Sequence, residues 1–327
     1  MGAGRATAGG LVSAGSELHV VLGAGGAVGR TVVEELVARG RRVRAVNRSG
    51  RLSVPDGVEV MGSDVTSADG AIAACAGAGV VYHCAAPAYD RWVNEFAAMT
   101  EAVRNGAAAA AAKLVFADNL YMYGPVTTPM TEDMPDAARN PRGRVRAEMA
   151  RSLLAAHRAG DVRVALGRAS DYYGPAGTNS IAGTNVFAAA LRGRVARWVG
   201  DLDQPHSLSY LPDFAKGLAT LGEDARADGT AWHIPASAPL TGRQFLEIVF
   251  AQAGLPERYA AVGRTMQRGL GLVNPTVRAL GETWYQRDRP FVTDATKFTD
   301  TFGPLPTTPH PQAVDATLAW FRTTLNR

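Results

Sequence analysis

The chain has 327 residues, 46% of them hydrophobic, and a formal net charge of +4. That is ample for a packed core, and the small, dispersed charge excess gives no reason to expect nucleic acid or a membrane as partner. No apolar run approaches the ~18 residues of a membrane span, and Cys75 and Cys84 are too few for a disulfide framework, so a reducing cytoplasm is the expected location.

The first sixteen residues are rich in Gly, Ala and Ser and read as a loose arm outside the fold. Domain expectations follow: a dinucleotide-binding domain over 17–175 with a return contribution near 207–235, and a substrate-binding region over 176–206 and 236–327. An apolar run ending at Leu22 reads as a buried strand. Glycines follow at 23, 25, 26 and 29, and a helical pattern runs from Thr31 to Arg39. Strand, glycine turn and helix are what is needed to bring a pyrophosphate onto a helix N-terminus, where free N–H groups and the helix dipole favour negative charge. Gly23 permits the tight turn, Gly26 the close backbone approach, and Gly29 the packing of helix on strand. Ala27 and Val28 lie on the same approach. The spacing is G-x-x-G-x-x-G, since Val28 stands where a G-x-G-x-x-G motif has its third glycine.

A second strand runs over Arg41–Arg48 and stops at Asn47, and a short third covers Val58–Met61, closed by Gly62-Ser-Asp64. A helix near Asp69–Ala76 precedes a fourth strand over Gly79–Pro87. The long helix predicted from Arg91 to Ala112 has Trp92, Phe96, Met99 and Val103 at three- and four-residue steps, so one face is apolar. Strand Lys113–Ala117, a Pro-rich loop, a helix near Arg142–Arg158 and strand Val162–Leu166 complete the alternation. Strands alternating with helices at this spacing imply a Rossmann-type, doubly wound parallel α/β sheet. Beyond Gly174-Pro175 come a helix at Val186–Arg192, strands at Val195–Val199 and Ser207–Leu211, and a helix from Asp213. Strand Ala231–Ile234 can return to the edge of the first sheet. A helix over Thr241–Ala253 has Thr241 as N-cap, and Ala313–Thr324 is a closing helix. Residues 255–312 suit a smaller α+β domain that covers the strand ends.

The end of the second strand selects the cofactor. An acid there would hold an adenosine ribose 2′-OH, but this chain has Asn47, followed by Arg48, which can make a forked, charge-assisted contact with a 2′-phosphate. Arg30 adds a second positive charge nearby, so NADP(H) is expected ahead of NAD(H). Asp64 is placed to meet the adenine edge, with Val65 beside it.

Together these residues resemble the extended short-chain dehydrogenase/reductases, the NAD-dependent epimerase/dehydratase family. The likeness rests on the glycine turn, Gly62-Ser-Asp64, His83-Cys-Ala-Ala-Pro87, Tyr123-Gly124-Pro125, the Arg168 to Tyr173-Gly-Pro175 run, and Leu211-Pro-Asp213. It implies that Ala85 and Ala86 lie under the cofactor. It also implies a Tyr-x-x-x-Lys pair that this chain lacks. Aligned on Ala147-Glu148, the Tyr falls on Arg142 and the Lys on Arg146, while the upstream Ser becomes Asn119. Arg146 retains donors for ribose hydroxyls. Arg142 cannot give up a proton, because guanidinium has a pKa above ~12, although it can stabilise an anionic substrate or a developing oxyanion. Asn119 can orient a carbonyl through its amide.

Tyr121, two residues on, is the candidate proton donor; Asp118 and the pair Asp171 and Tyr172 are further candidates, and His206 and His83 read as structural. No Cys/His grouping has metal-ligand spacing. The resulting expectation is an NADP(H)-dependent oxidoreductase acting on a small-molecule C=O, C=N or conjugated acceptor. The alternatives are a non-catalytic NADP(H)-binding sensor or scaffold, and a non-redox lyase or cyclase. A small-molecule substrate is the expected partner, and a homodimer the expected assembly.

Overall fold

The computed structural model describes residues 17–325, so the arm expected over 1–16 lies outside them. The first half alternates as the sequence pattern predicts. It runs β1 (Leu18–Leu22), α1 (Ala27–Ala38), β2 (Arg42–Asn47), β3 (Glu59–Gly62), α2 (Ala68–Cys75), β4 (Val80–His83), α3 (Trp92–Ala109), β5 (Lys113–Asp118), α4 (Pro141–Ala159) and β6 (Arg163–Arg168). The second half holds β7 (Tyr172–Tyr173), α5 (Phe187–Leu191), β8 (Ala196–Val199), β9 (Pro205–His206), β10 (Ser209–Tyr210), α6 (Leu211–Glu223) and β11 (Thr230–His233). It closes with β12 (Leu240–Thr241), α7 (Gly242–Ala253), β13 (Tyr259–Val262), α8 (Arg264–Gly271), α9 (Pro275–Leu280), α10 (Thr296–Phe302) and α11 (His310–Leu325).

The main sheet has seven strands in the order β11-β6-β5-β4-β1-β2-β3, every pair parallel. Its sense reverses between β1 and β4, which opens a crevice at the carboxyl ends of those strands, the place where ligands bind in open α/β sheets. All five residues of β1 are buried, as a central strand covered on both faces requires. Val20 and Leu22 pack toward α2, α3 and α4, and Val21 packs with α1 and α6 on the other face. A third core gathers Phe187, Trp198, Phe245, Phe250 and Phe321 from the second half.

The return strand pairs β11 with β6, His233 opposite Arg168, so residues after 206 complete the first sheet. One expected strand, Ser207–Leu211, is instead two short pieces. Pro205–His206 pairs with β12, and Ser209–Tyr210 pairs with β7. Between them the Ser207 N–H turns aside to the Phe291 carbonyl, 2.9 Å away. β4 stops at His83, short of the expected Pro87, because the backbone at Cys84 and Ala85 passes against the glycine turn. Thr241 caps α7 reciprocally with Gln244. Among the described residues no helix is long and apolar enough to cross a membrane.

Candidate functional site

The turn after β1 is built by two steric demands. Gly23 has φ +79°, and a Cβ there would lie 2.6 Å from the Ala85 backbone, so only glycine lets the turn and the β4 loop meet. A Cβ on Gly29 would collide with the Gly23 carbonyl and come within 2.9 Å of Ala24 Cα, so the first turn of α1 packs directly on the loop. Gly26 is the N-cap and offers no side-chain cap, and the first turn carries no acid. The first hydrogen bond within α1 runs from Arg30 N–H to the Gly26 carbonyl. The N–H groups of Ala27, Val28 and Gly29 therefore have no helical acceptor and are available to an anion.

Ala27 and Val28 open on a cleft of about 440 Å³. Gly23, Gly26, Ala27 and Val28 line it on the β1 side, Asn47, Arg48, Asp64 and Val65 at the ends of β2 and β3, and Ala85 and Ala86 after β4. Gly29 is not part of the lining; it is buried beneath it. Cys84, Tyr172 and Asn179 extend the same surface, and burial pushes the Cys84 thiol up to about 12, so it is no thiolate at neutral pH.

At the adenosine end, Asn47 is tied into its own turn. Its Oδ1 accepts from Gly50 N–H at 2.7 Å, and its Nδ2 donates to the Arg51 carbonyl. Arg48 is free to reach outward: its side chain is 72% exposed, and its Nε lies 3.6 Å from Asp64 Oδ2. Asp64 accepts from Thr66 N–H and Oγ1, and those bonds, aided by Arg48, hold its carboxyl below the usual range. Arg30 lies 3.0 Å from Glu34 on its own helix. The cradle therefore fits a dinucleotide, with backbone donors where a pyrophosphate belongs and an exposed cation at the ribose end.

The four candidate catalytic residues fall on two neighbouring elements, and their side chains take different environments. Asn119 Oδ1 accepts from Tyr121 N–H at 3.1 Å, just ahead of the short 3-10 turn Tyr121–Tyr123. Tyr121 is half-buried against Trp92. Burial lifts its phenol well above its ordinary pKa, Tyr89 and Asp171 add to the rise, and Arg287 opposes it.

Arg142 and Arg146 are not open to the cleft. Arg142 gives Nη1 to Glu282 at 2.6 Å and Nε and Nη2 to the Tyr89 carbonyl, with its guanidinium over the Tyr89 ring. Arg146 lies over Trp92 and Phe96, each 4.5 Å away, and donates to Asp118 Oδ1. Asp118 in turn accepts from Arg168 at 3.1 Å, so it is a shared anion between two buried cations.

Asp171, a candidate from the sequence, is joined by His206, which read as structural, and by Arg287, which the sequence did not single out. Asp171 lies 3.2 Å from His206 and 3.4 Å from Arg287. Burial alone would raise the Asp171 carboxyl, but Arg287 and His206 overcome it and bring it down to about 2. Asp171 was legible as a candidate acid after β6, whereas His206 gave no sign of meeting it. Arg287 carried no local signal, because its partner is over a hundred positions earlier.

The residues 19–234 match the model of the NAD dependent epimerase/dehydratase family. No curated protein matches the sequence. Among solved structures, the chain is similar to a dTDP-glucose 4,6-dehydratase from Streptomyces venezuelae solved with NAD, at 17% identity and TM-score 0.79, covering 94% of this chain and 98% of that one. A UDP-glucose 4-epimerase from Thermotoga maritima, solved with UDP-glucose, gives 18% identity and TM-score 0.77 over 94% and 99% of the two chains. An epimerase from Methanothermobacter thermautotrophicus gives 15% identity and TM-score 0.81 over 96% and 94%. With the family model covering most of the chain, and the glycine turn and cleft standing where that fold binds dinucleotides, this chain belongs to the NAD dependent epimerase/dehydratase family.

Proposed function

We propose that the protein is an NADP(H)-dependent oxidoreductase of a small carbonyl, iminium or conjugated substrate, with Tyr121 in place of the missing Tyr-Lys pair. The observation that carries the cofactor half is the end of β2. The position of a ribose-binding acid is Asn47, closed on its own turn, and the next residue is an exposed arginine whose partner is a solvent-facing carboxylate. An ion pair that exposed is worth at most about 1 kcal/mol, so a 2′-phosphate can displace Asp64 from Arg48. A charge-assisted contact of this kind contributes about 1.5–3 kcal/mol.

The bound cofactor supplies hydride; the chain supplies placement and a proton. The Ala27 and Val28 N–H groups would hold the pyrophosphate, and Ala85 and Ala86 line the cleft opposite them. Asn119, its oxygen committed to Tyr121 N–H, presents its amide N–H groups to a substrate oxygen. Tyr121 holds its proton through neutral pH, because burial and the Asp171 carboxylate disfavour the phenolate.

The test is the affinity for NADPH and NADH by quenching of protein fluorescence. Tighter binding of NADPH is expected, with a loss of about 10-fold or more on Arg48→Ala and little change for NADH. Equal affinities in the parent protein would remove the argument. One observation favours a second reading, a non-catalytic NADP(H)-binding protein: both arginines at the Tyr and Lys positions are spent on internal partners. Turnover with a panel of carbonyl and imine acceptors separates the two.

A further inference from the structure

The hairpin of α8 and α9 is packed inside out. Gln267 and Gly271, one turn apart on α8, are its buried residues. Gln267 Nε2 donates to the Val277 carbonyl at 2.6 Å, and a Cβ on Gly271 would come within 3.0 Å of Arg278 Cα, so the two helices touch closely there. Asn274 ties the turn between them: its Oδ1 accepts from Val277 N–H at 3.1 Å, and its carbonyl accepts from Arg278 N–H. The larger apolar side chains are the ones left in water. Met266 and Leu270 are half-exposed, and Leu272 and Val273 at the turn are 82% and 86% exposed. A helix facing only water and its own core buries its leucines and leaves its glutamine outside. Here the order is reversed in a braced element, so the exposed apolar surface has a partner outside the fold.

The charges around this surface are of one sign. Between Glu257 and Glu282 the chain carries four arginines, Arg258, Arg264, Arg268 and Arg278, and no carboxylate. Arg264, Arg268 and Arg278 are exposed, and among the described residues none of them has an ion-pair partner. On α1, by contrast, Arg30 and Arg39 each meet a glutamate of the same helix. The small net charge of the whole chain hides this local excess.

A second copy of the chain would set like charges against one another across the contact, which disfavours it. A rigid protein partner would need a pocket shaped to two protruding aliphatic side chains. An anionic bilayer needs neither, because its acyl boundary admits apolar side chains of any shape and its phosphates attract the arginines, whose long stems reach along the apolar surface to the headgroups. We propose that the α8–α9 hairpin docks the protein on an anionic lipid surface, with Met266, Leu270, Leu272 and Val273 entering the acyl boundary and Arg264, Arg268 and Arg278 at headgroup level. This is attachment to one leaflet and not a span. None of these residues lines the dinucleotide cleft, so the docking stands or falls independently of the cofactor.

The test is co-sedimentation of the full chain with vesicles of phosphatidylcholine alone and of phosphatidylcholine mixed with phosphatidylglycerol. Binding to the mixed vesicles is expected, weakening as salt is raised, with little binding to phosphatidylcholine alone. Leu272→Ser combined with Val273→Ser should lower the partition coefficient at least about 10-fold, with Tm unchanged because both side chains already face water. Arg264→Gln, Arg268→Gln and Arg278→Gln should each lower it about 5-fold. Absence of binding to the mixed vesicles overturns the proposal. Equal binding by the double serine variant overturns it too, since the attraction would then be one of charge alone. If the vesicles do not bind and the serine variant abolishes self-association in sedimentation velocity, the surface belongs to a second copy of the chain.

Discussion

On the proposed reading, Tyr121 alone takes the part of the Tyr-x-x-x-Lys pair that the chain lacks. A phenol is a useful acid only if it is protonated at working pH and close to the oxygen that gains the proton. Any phenol meets the first condition at neutral pH, and burial with Asp171 raises the Tyr121 pKa further, so the proton must pass to a substrate oxygen that gains charge as hydride arrives. Its position two residues after Asn119, whose Oδ1 accepts from the Tyr121 N–H, serves the second. Tyr121→Phe keeps the ring against Trp92 and removes only the hydroxyl. The expected result is a fall of about 10²-fold or more in kcat for NADPH-dependent carbonyl reduction, with KM for NADPH unchanged; a normal kcat would make Tyr121 a wall. The sequence made Tyr121, Asn119, Arg142 and Arg146 visible as replacements at named positions. It could not show that Arg142 and Arg146 turn inward, because Glu282 and Asp118, the carboxylates that draw them in, come to those places only through folding.

Among the elements, the β1–α1 unit was the most legible. Its chemistry is local: an apolar strand, glycines at fixed offsets and an uncapped helix start follow within a dozen residues, and steric exclusion does the rest. Gly29 is the sensitive position. Alanine there should favour the helix by about 1 kcal/mol, but the new methyl meets the Gly23 carbonyl and Ala24 backbone, which cannot move without opening the turn. Overpacking of that kind costs about 1–3 kcal/mol. Gly29→Ala should therefore lower Tm and weaken NADPH binding together, measured by thermal unfolding and fluorescence titration; unchanged affinity would separate the turn from the cofactor. The element boundaries that differed from expectation, at β4 and at the split of Ser207–Leu211, lie where a long-range backbone contact ends a strand whose own pattern would continue.

Across the whole molecule, the return strand β11 joins the two halves, and a buried polar chain runs through the seam. Arg168 donates to the Tyr123 hydroxyl at 2.6 Å, the Tyr123 hydroxyl meets His233 Nε2 at 2.8 Å, and His233 Nδ1 faces the Asp294 carbonyl at 2.9 Å. Since a carbonyl only accepts, Nδ1 carries the proton, and Nε2 accepts from Tyr123 in the neutral tautomer. Burial, then Arg168, depress His233 from 6.5 to about 4, and burial and Arg146 depress His83 to about 3. The unfolded chain takes up these protons below pH 6.5 while the native state resists, so this stability is complete above 6.5 and is lost as pH falls toward 4. For His233 the loss amounts to roughly 3 kcal/mol. Thermal unfolding followed from pH 7 to 4 should show a steady fall in Tm, smaller in His233→Gln; a flat profile would mean that the histidine is already charged in the native protein.

The sequence by itself determined the parallel α/β sheet, the glycine turn and the absence of a ribose-binding acid at Asn47, because each depends on side-chain periodicity or on residues adjacent in the chain. Only the tertiary structure decided which charges are free. Arg48 stays exposed with a weak partner, while Arg142, Arg146 and Arg287 are neutralised by carboxylates brought from elsewhere in the chain. The physical reason is that a strand or turn is specified by neighbours in sequence, whereas the charge state of a pocket is a sum over neighbours in space.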